Sequence, residues 1–568
     1  MGNKKFVWRL IVISIALFYS ACGAMNRGPV SGIDNPTSTA VFGTASVTPF
    51  QPEGYISTPS TSSIMIIPSQ QTQSPTVQTI WISLAAPILL RQKVIESGYP
   101  VADDSSSSTF QVEVSPITET RSTTWLYALV APFPTIADGI LFSDLKNAWD
   151  GTIMGLFSGR RLWMEETTLA AFSSLWGAPV PEFAAVAPGD QLQDITWTER
   201  TAWAIVPFEE INPLWKVISV DGQSPIHNDF NMESYPLKIN FSIHPDGFTT
   251  IASNRDPIKL TVLAMTGTTA LVRATADRME RKGLLYPGEE IRSVLRAADI
   301  THVSNEVSFV TDCPTPNPWT SSLRFCSDPR YIALLEDVGT DVVELTGNHL
   351  LDYGPEPFLT TLDLYDQHGW KYFGGGRDFH ASLQPTLMED HGNHIAFIGC
   401  NLVGPADDWA TNSLPGSAPC NFEELVTNIG KLRSAGFLPI MTFQYNEYYQ
   451  ANPTDYEQRD FLQMASAGAV IVSGSQAHVP AAMGFSGDSF IHYGLGNLFF
   501  DQMSHEMPDG SIIYDTRNIF VDRHVIYDGR YINTELLSYI IEDYSRPRPM
   551  TQTERRIFLQ NIFNAAGW

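Results

Sequence analysis

The stretch VELTGNHLLDYG, residues 343–354, joins an apolar run to a cluster of polar side chains. The apolar residues are typical of the end of a buried β-strand, and the polar residues follow directly at its carboxyl end. Asn348, His349 and Asp352 are residue types that hold metal ions and transfer protons at phosphoester and amide centres. The stretch therefore predicts a functional site at a strand end, with partner residues expected after the neighbouring strands.

Similar apolar runs alternate with helical patterns on both sides of this stretch. The runs are KLTVLAM, ITHVSNEVSF, DVVELTG, HIAFIGC, LPIMTFQ, GAVIVSG and SFIHYGLG. The segments between them carry apolar residues at helical spacing, which gives each helix one face for a sheet. The sequence predicts a layered α/β domain over residues 257–515 with a largely buried central sheet, and a C-terminal extension over residues 516–568 packed on that domain.

Polar side chains follow several of these predicted strands. They are Thr266, Thr268, Asn305, Glu306, Gln444, Asn446, Glu447, Ser475, Gln476, His478, Asn497 and Asp501. In layered α/β sheets the functional groups collect outside the carboxyl ends of the strands. Core packing alone does not place amide, carboxylate and imidazole groups after five separate strands, so this pattern predicts one shared site.

The order of these motifs resembles the CapA family, which is associated with poly-γ-glutamate capsule synthesis and has a fold similar to the calcineurin-like metallophosphatases. The resemblance covers residues 259–505 and is carried by TALVR, NEV, GNHLLDYG, QYNEYY, GSQAHVP and HYGLGNLFFD, in this order. It implies a metallophosphatase-like C-terminal domain with a metal site. It also implies a role in making or attaching a cell-envelope polymer.

The sequence departs from the family pattern at the metal ligands. Thr268 stands where the family has Asp, Gln444 where it has His, and Gln476 where it has the first His of the last pair. Thr supplies no charge, and neutral Gln is a poor ligand for most transition metals. The remaining ligands are Glu306, Asn348 and His478. We therefore expect at most one divalent metal ion per chain, of unknown identity.

His349 and Asp352 admit two interpretations. In the first, His349 is a general acid that the carboxylate of Asp352 orients. In the second, Asp352 caps the helix that follows, and His349 only forms hydrogen bonds within the loop. The side chains expected to contact a substrate are Arg273, Asn305, Gln444, Glu447, Gln476 and Asn497.

The N-terminus has the layout of a secretory signal. Basic residues precede a short apolar run, and the small residues Ser20 and Ala21 precede Cys22 in a lipobox-like end. A transmembrane anchor is the alternative, but the apolar run is shorter than the roughly 20 residues that span a bilayer. We expect residues 1–22 to direct export, Cys22 to carry a lipid anchor to the cell membrane, and the chain to be extracytoplasmic. Residues 23–79, rich in Ser, Thr and Pro, are expected to be a disordered tether.

The other four cysteines of this exported chain are expected to form disulfides. A zinc site is the alternative, but no two cysteines have the separation of two to four residues that is usual in such sites. We expect the local pairs Cys313 with Cys326 and Cys400 with Cys420.

A smaller α/β domain is expected over residues 80–250. Its segments AWAIVPFEEINPLWKVISVDGQSPI and YPLKINF resemble type II periplasmic solute-binding proteins. The segment WISLAAPILLRQ lacks the glycines that would let backbone amides approach an anion. Both a structural or protein-binding relic and a working small-molecule binder stay open for this domain.

The charge balance excludes one class of partner. The chain has 35 Lys and Arg against 61 Asp and Glu, a net charge of -26 that repels nucleic acid. The preferred function is that of a CapA-like lipoprotein acting with an acidic envelope polymer or a polymer-synthesis complex. The alternatives are a metal-dependent hydrolase of phosphoester or γ-glutamyl amide bonds, and a solute- or protein-binding envelope module. Catalytic activity and oligomeric state stay open.

Overall fold

The computed structural model describes residues 77–116, 122–245, 248 and 251–568. The predicted signal, Cys22 and nearly all of the predicted tether therefore lie outside the described residues. Within the described part of the chain, no helix has the length and apolar character needed to cross a membrane.

The first half of the described chain is built on one mixed sheet. Its strands are β1 (Ile80–Ile82), β2 (Phe110–Ser115), β3 (Ser122–Pro132), β4 (Gly139–Ile140), β5 (Leu162–Met164), β6 (Ala184–Val186), β7 (Trp203–Pro207), β8 (Trp215–Val220) and β9 (Lys238–His244). Its helices are α1 (Ile88–Ile95), α2 (Phe142–Trp149), α3 (Glu166–Trp176) and α4 (Gly189–Glu199). The strand order is β1-β2-β9-β3-β7-β5-β6, with β8 beside β3 and β4. The long strand β3 pairs with β9 in its first half and with β7 and β8 in its second half.

The second half contributes the elements around the predicted site. Its longer strands are β10 (Leu260–Thr269), β11 (Ile300–Asn305), β12 (Val342–Glu344), β13 (Lys371–Phe373), β15 (Thr386–Asp390), β16 (Asn393–Asn401), β18 (Leu438–Gln444), β19 (Ile471–Ser473), β20 (Met483–Ser486), β21 (Ser489–His492), β22 (Asn497–Phe499), β25 (Asn518–Tyr527), β26 (Arg530–Glu542) and β27 (Arg546–Pro549). The two-residue strands are β14 (Gly375–Gly376), β17 (Gly416–Ser417), β23 (His505–Glu506) and β24 (Ile512–Ile513). The helices are α5 (Arg273–Lys282), α6 (Arg292–Leu295), α7 (Ile332–Asp337), α8 (Pro355–His368), α9 (Phe379–Ser382), α10 (Phe422–Ser434), α11 (Asp455–Ala467) and α12 (Gln552–Ala565).

Two sheets pack face to face in this half. The first has the order β13-β12-β11-β10-β25-β26-β27 with β22 beside β10, and the second has the order β15-β16-β18-β19-β21-β20. Met265 and Val342 of the first sheet share an apolar cluster with Phe397 and Ile440 of the second. Helices α5 to α8 cover the outer face of the first sheet, and α10 and α11 cover that of the second. The layered α/β fold is confirmed.

The number of sheets differs from the sequence expectation of one central sheet. Each inner strand is buried on both faces, by helices on one side and by the opposite sheet on the other. Such strands show no alternation of polar and apolar residues, as in β10 and β18, which are buried throughout. Because one central sheet would give the same pattern, the sequence does not distinguish the two arrangements.

The segment 516–568 contributes strands to the first sheet of this half, whereas the sequence predicted an extension packed on the outside of the domain. Strand β25 pairs antiparallel with β10 from Leu260 to Thr266, and β26 and β27 continue the first sheet. Helix α12 packs into the apolar layer between the sheets through Phe558 and Ile562. The C-terminal strands therefore complete the sheet that carries the predicted site.

The two halves share one apolar core across the expected boundary at residues 250–257. Leu260 and Val525 of the second half lie in the same buried cluster as the strands of the first half. Asn533 Nδ2 donates a hydrogen bond to the Trp215 carbonyl at 2.7 Å, and Arg555 pairs with Asp138 at 2.7 Å. The described residues from 77 onward form one compact unit.

Both expected disulfides are present. Cys313 is bonded to Cys326 with the Cα atoms 5.8 Å apart, and Cys400 is bonded to Cys420 with the Cα atoms 5.1 Å apart. The first bond closes a Pro-rich loop over residues 313–326, which we call the disulfide loop.

Candidate functional site

The carboxyl ends of the inner strands carry the predicted polar residues. We use the name strand-end site for the set Thr268, Glu306, Asn348, His349, Gln444, Glu447, Gln476, His478 and Asn497. Thr268 is paired with Asn497 across β10 and β22, and residues 307 and 349 form a β-bridge. A Cβ atom on Gly347 would collide with Glu306, so the chain before Asn348 runs directly against the Glu306 backbone. These close approaches bring the segments after β10, β11 and β12 together with the start of β22.

Several side chains of the strand-end site have buried polar atoms with no hydrogen-bond partner among the described residues. These atoms are Thr268 Oγ1, Glu306 Oε2, Asn348 Oδ1, Gln444 Oε1, and both Nε2 and Oε1 of Gln476. An unpaired buried polar group costs about 1–3 kcal/mol of folding free energy. Three of the residues, Thr268, Gln444 and Gln476, stand at the positions where the metal ligands of the family pattern are replaced. These residues are therefore the candidates of this site for hydrogen bonds to a ligand.

His478 and Glu447 form a charged pair in this site. His478 Nε2 lies 3.4 Å from Glu447 Oε1, and His478 Nδ1 lies 2.7 Å from Asn497 Oδ1. Burial disfavours the charged imidazole, but the hydrogen bond and charge of Glu447 together with Glu306 raise the pKa of His478 to about 9. Burial likewise disfavours the carboxylate, but His478 lowers the pKa of Glu447 to about 2. Asn497 orients His478.

Glu306 is the fully buried carboxyl of the site. Burial raises its pKa, and the positive charges of His478, His349 and Arg273 oppose that rise. A raised pKa favours the neutral acid, which can donate a hydrogen bond as well as accept one.

His349 and Asp352 form the expected dyad. His349 Nδ1 lies 2.9 Å from Asp352 Oδ2. Burial opposes protonation of the imidazole, but the hydrogen bond to Asp352 and the charge of Glu306 raise the pKa of His349. Asp352 does not cap α8, because the N-cap residue of α8 is Gly354 and no side chain caps it. The helix-cap interpretation of Asp352 is therefore wrong.

Two residues of the disulfide loop donate hydrogen bonds to Asp352. Phe325 N donates to Asp352 Oδ2 at 2.6 Å, and Arg324 Nε donates to the Asp352 carbonyl. The Phe325 ring lies against the His349 ring with centroids 4.5 Å apart. The loop thus forms one wall of the strand-end site.

Two further predicted substrate contacts, Arg273 and Asn305, also have protein partners. Arg273 pairs with Asp501, with Nε 3.2 Å from Oδ2, and its guanidinium lies between the rings of Phe325 and Phe500. Asn305 is turned toward the α8 layer, where its Nδ2 donates to the Tyr365 hydroxyl at 2.7 Å. Arg273 borders the site, whereas Asn305 packs β11 against α8, and its expected substrate contact stays a prediction.

Sequence reasoning missed Asp408 and the buried carboxylate of Glu344. Asp408 Oδ1 accepts a hydrogen bond from Leu351 N at 2.9 Å, and burial followed by the charge of Asp352 raises the pKa of Asp408 to about 6. It lies in a loop between strands, where no sequence pattern indicated it. Glu344 could have been found from the sequence, because it is a charged residue inside the apolar run DVVEL.

Glu344 ties two segments of the site together. It accepts hydrogen bonds from Thr346 Oγ1 at 2.6 Å and from Ser475 Oγ, and it lies 3.1 Å from His302 Nε2. Burial opposes ionisation, but the hydrogen bonds of His302 and Ser475 hold the pKa of Glu344 below its ordinary value. Because Thr346 and Ser475 precede Asn348 and Gln476, Glu344 fixes the positions of both.

The residues of the strand-end site do not fit two metal ions. A binuclear centre needs a bridging carboxylate and several imidazoles, and the resemblance to the family pattern implies that Thr268, Gln444 and Gln476 stand at three of those positions. Among the described residues, one group of three His, Asp or Glu side chains brings its ligand atoms within 4.8 Å of one another: Asp299, Asp390 and His391. That group lies outside the strand-end site. The donor set that remains, Glu306, Asn348 and His478, fits one ion at most.

Two sheets packed face to face with helices on their outer faces form a layered α/β domain, and the residues of the strand-end site lie at the carboxyl ends of its strands. Residues 262–502 match the family model described as bacterial capsule synthesis protein PGA_cap, and the predicted membership of the CapA family is confirmed for this domain.

Two curated relatives support this membership. The chain is 23% identical over 265 residues to the capsule biosynthesis protein CapA of Bacillus anthracis, covering 46% of this chain and 64% of that protein. It is 22% identical over 237 residues to the PGA biosynthesis protein CapA of Bacillus subtilis (strain 168), covering 41% of this chain and 62% of that protein. The matches span less than two thirds of either relative.

Solved structures show weaker likenesses. An ABC-type phosphate transport receptor from Vibrio cholerae is 15% identical with a TM-score of 0.24, covering 29% of this chain and 85% of that one. A 5'-nucleotidase precursor from Thermus thermophilus is 13% identical with a TM-score of 0.28, covering 54% of this chain and 59% of that one. Likenesses at these scores carry no information on ligands or reactions.

Proposed function

We propose that this chain is an exported, lipid-anchored protein of the cell envelope whose strand-end site binds an acidic polymer such as poly-γ-glutamate during its synthesis or attachment. The observation that carries this proposal is the set of unpaired buried atoms on Thr268, Gln444 and Gln476. Side-chain amides present both a donor and an acceptor, as does each amide bond of a γ-glutamyl chain. Residues that replace metal ligands thus supply hydrogen bonds for a polyamide.

A local basic groove counters the repulsion between a polyanion and a chain of net charge -26. A cavity of about 490 Å³ lies beside the disulfide loop and is lined by three arginines, Arg273, Arg324 and Arg330, and by the carboxylates of Glu280 and Asp328. Arg330 is paired with Glu280 and Asp328. The Arg324 guanidinium lies 4.2 Å from the Tyr353 ring centroid and has no carboxylate partner among the described residues. Arginine forks recognise carboxylates, so this groove suits the side chains of an acidic polymer.

The groove adjoins the strand-end site at Phe325. Phe325 and Arg273 line the groove, and Phe325 also contacts the His349 ring. A polymer whose carboxylates contact Arg324 would place an amide bond near His349. In this proposal, the carboxylates of the polymer lie in the groove and its amide groups lie in the strand-end site.

One divalent ion is compatible with this function. Glu306, Asn348 and Nε2 of His478 would hold it, and an ion bound there would polarise a carbonyl or phosphoryl oxygen as a Lewis acid. Glu447 would supply the charge that keeps His478 oriented. Asn497 would keep Nε2 of the imidazole directed away from β22.

The second candidate function is hydrolysis of a phosphoester or γ-glutamyl amide bond. The His349–Asp352 dyad favours it, because a histidine with a raised pKa holds a proton that it can donate to a leaving group. In this account, Asp352 orients the imidazole through Nδ1 and leaves Nε2 as the donor. Turnover of such a substrate that falls in His349→Ala would support this candidate over binding alone.

Equilibrium binding of a fluorescent oligo-γ-glutamate to the purified protein tests the proposal. We expect Gln476→Ala and Arg324→Gln each to weaken binding, by about tenfold for a lost hydrogen bond or charge contact. Gln458→Ala and Arg556→Gln are matched controls, because both side chains are exposed on helices and should leave the affinity unchanged. Absence of binding to the wild type, or equal losses in the control variants, would refute the proposal.

A further inference from the structure

Three glutamates meet at one edge of the sheet in the first half of the chain. Glu165 directly follows β5, and Glu209 and Glu210 closely follow β7. Strands β5 and β7 are parallel neighbours, so their carboxyl ends point the same way. Tyr127 of β3 is paired with Pro207 at the end of β7. We call the set Tyr127, Glu165, Glu209 and Glu210 the acidic edge.

The carboxylates of the acidic edge differ in their protein partners. Glu209 accepts hydrogen bonds from Trp125 Nε1 at 3.0 Å and from Asn254 Nδ2 at 2.6 Å. Glu165 accepts one from Thr167 Oγ1 at 3.3 Å. The half-buried side chain of Glu210 has no hydrogen bond or ion pair with the described residues. Glu210 is therefore the carboxylate available to a ligand.

A second polar group without a partner lies at the same place. The Tyr127 side chain is 0% exposed, and its hydroxyl makes no hydrogen bond with the described residues. Burial, followed by the charges of Glu209, Glu210 and Glu165, raises the pKa of Tyr127 well above its ordinary value. The hydroxyl is thus within electrostatic range of all three carboxylates and is hydrogen-bonded to none of them. An unpaired buried hydroxyl beside an unpaired carboxylate indicates a place for a hydrogen-bond donor.

The acidic edge is not suited to bind an anion, because a carboxylate already occupies the nearby helix N-terminus. A Cβ atom on Gly189 would collide with Oε1 of Glu165, so this carboxylate lies against the first residue of α4. The N-terminus of a helix carries partial positive charge and is a common anion site. Glu165 already occupies that position. Lys93 lies over the Trp125 ring at 5.4 Å, and its charge opposes the rise that burial causes in the pKa of Glu209.

The spacing of the carboxylates also disfavours a small metal ion. Within the described ranges, the group whose ligand atoms lie within 4.8 Å of one another is Asp299, Asp390 and His391, which is separate from the acidic edge. An ammonium group has three donor hydrogens that can reach acceptors farther apart than the ligands of one ion. We propose that the acidic edge is a binding site for an organic primary amine, with Glu210 and the Tyr127 hydroxyl contacting the ammonium and Glu165 and Glu209 supplying charge.

Isothermal titration calorimetry on the purified full-length protein tests this proposal, with 1,4-diaminobutane, inorganic phosphate and Mg²⁺ as probes. We expect the diamine to bind at millimolar or lower concentration and phosphate not to bind at this edge. Glu210→Gln removes the carboxyl that would ionise on contact with the ammonium, and Tyr127→Phe removes only a hydroxyl. Each should weaken diamine binding, by about tenfold or more for the lost ion pair. The Tyr127→Phe variant keeps the packing of the ring, so it separates a binding loss from a folding loss.

Two control variants locate the amine. Glu166→Gln changes an exposed carboxylate next in sequence to Glu165 and should leave diamine binding unchanged. Glu447→Gln changes a carboxylate of the strand-end site and should also leave it unchanged. The proposal is overturned if the wild type binds no diamine, or if Glu447→Gln abolishes binding while Glu210→Gln does not. It is also overturned if Mg²⁺ or phosphate binds in a manner that Glu210→Gln abolishes.

Discussion

Gln476 is the residue at which stability and function are most clearly opposed. Both polar atoms of its side chain are buried without a partner among the described residues. Gln476→Met keeps the volume and removes the unpaired atoms, so we expect the free energy of unfolding to rise by about 1–2 kcal/mol. Oligo-γ-glutamate binding should weaken in the same variant. Urea denaturation and the binding assay measure the two effects, and a loss of stability would contradict the account.

The raised pKa of Glu210 leads us to expect that the stability of the protein depends on pH. Burial, together with repulsion from Glu165 and Glu209, raises its pKa from the ordinary value of 4.5 to about 8. The folded state therefore holds the proton more tightly than the unfolded state, and the stability from this group is complete below pH 4.5 and falls as pH rises toward 8. Glu210→Gln stays neutral, so its free energy of unfolding should fall less over this range than that of the wild type. Parallel pH profiles in urea unfolding would contradict this prediction.

The residue types in the strand-end site could be predicted, but their contacts could not. The polar residues after each apolar run indicated the site, and the replacement of Asp and His by Thr and Gln indicated a reduced metal centre. Asn305 shows the limit of this prediction. A shift of one residue along a strand decides whether a side chain at its end faces the site or the helix layer. The role of Asp408 depends on contacts between loops that are distant in sequence, which no local pattern encodes.

At the scale of elements, the disulfide loop links stability to the site. The bond between Cys313 and Cys326 spans a sequence separation of 13. Replacing both cysteines with Ser should lower the free energy of unfolding by about 3 kcal/mol in the chain-entropy model. Loosening the loop should also weaken oligo-γ-glutamate binding, because Arg324 and Phe325 lose their fixed contacts to Asp352. A destabilised variant that binds with wild-type affinity would show that the loop does not form part of the site.

The elements of the second half could be predicted as far as local alternation reaches. The strands that correspond to apolar runs in the sequence are β10, β11, β12, β16, β18, β19 and β21. The two disulfides join cysteines that are close in sequence. Strand β25 could not be placed, because its partner β10 lies about 250 residues earlier and long-range antiparallel pairing leaves no local signal. The sequence could not distinguish two sheets from one, because strands that are buried throughout have the same apolar pattern in both arrangements.

At the scale of the whole molecule, anchoring is decided by residues outside the described part of the chain. The basic start, the short apolar run and the small residues before Cys22 predict acylation of that cysteine. We expect Cys22→Ser to release the protein from membranes or to block processing, as measured by membrane fractionation and mass spectrometry of the N-terminus. Unchanged retention and processing in the variant would refute the lipid anchor.

The central claim is that the strand-end site is a ligand-binding site with a reduced metal centre, and elemental analysis of the purified protein tests it most directly. Without a carboxylate between them, two divalent cations about 4 Å apart repel each other by roughly 15 kcal/mol even at an effective dielectric near 20. The account predicts at most one equivalent of tightly held divalent metal per chain. Glu306→Gln and His478→Ala should each remove that metal, whereas His349→Ala should impair ligand binding more than metal content. Two tightly held equivalents in the wild type, accompanied by robust phosphodiesterase turnover, would contradict it.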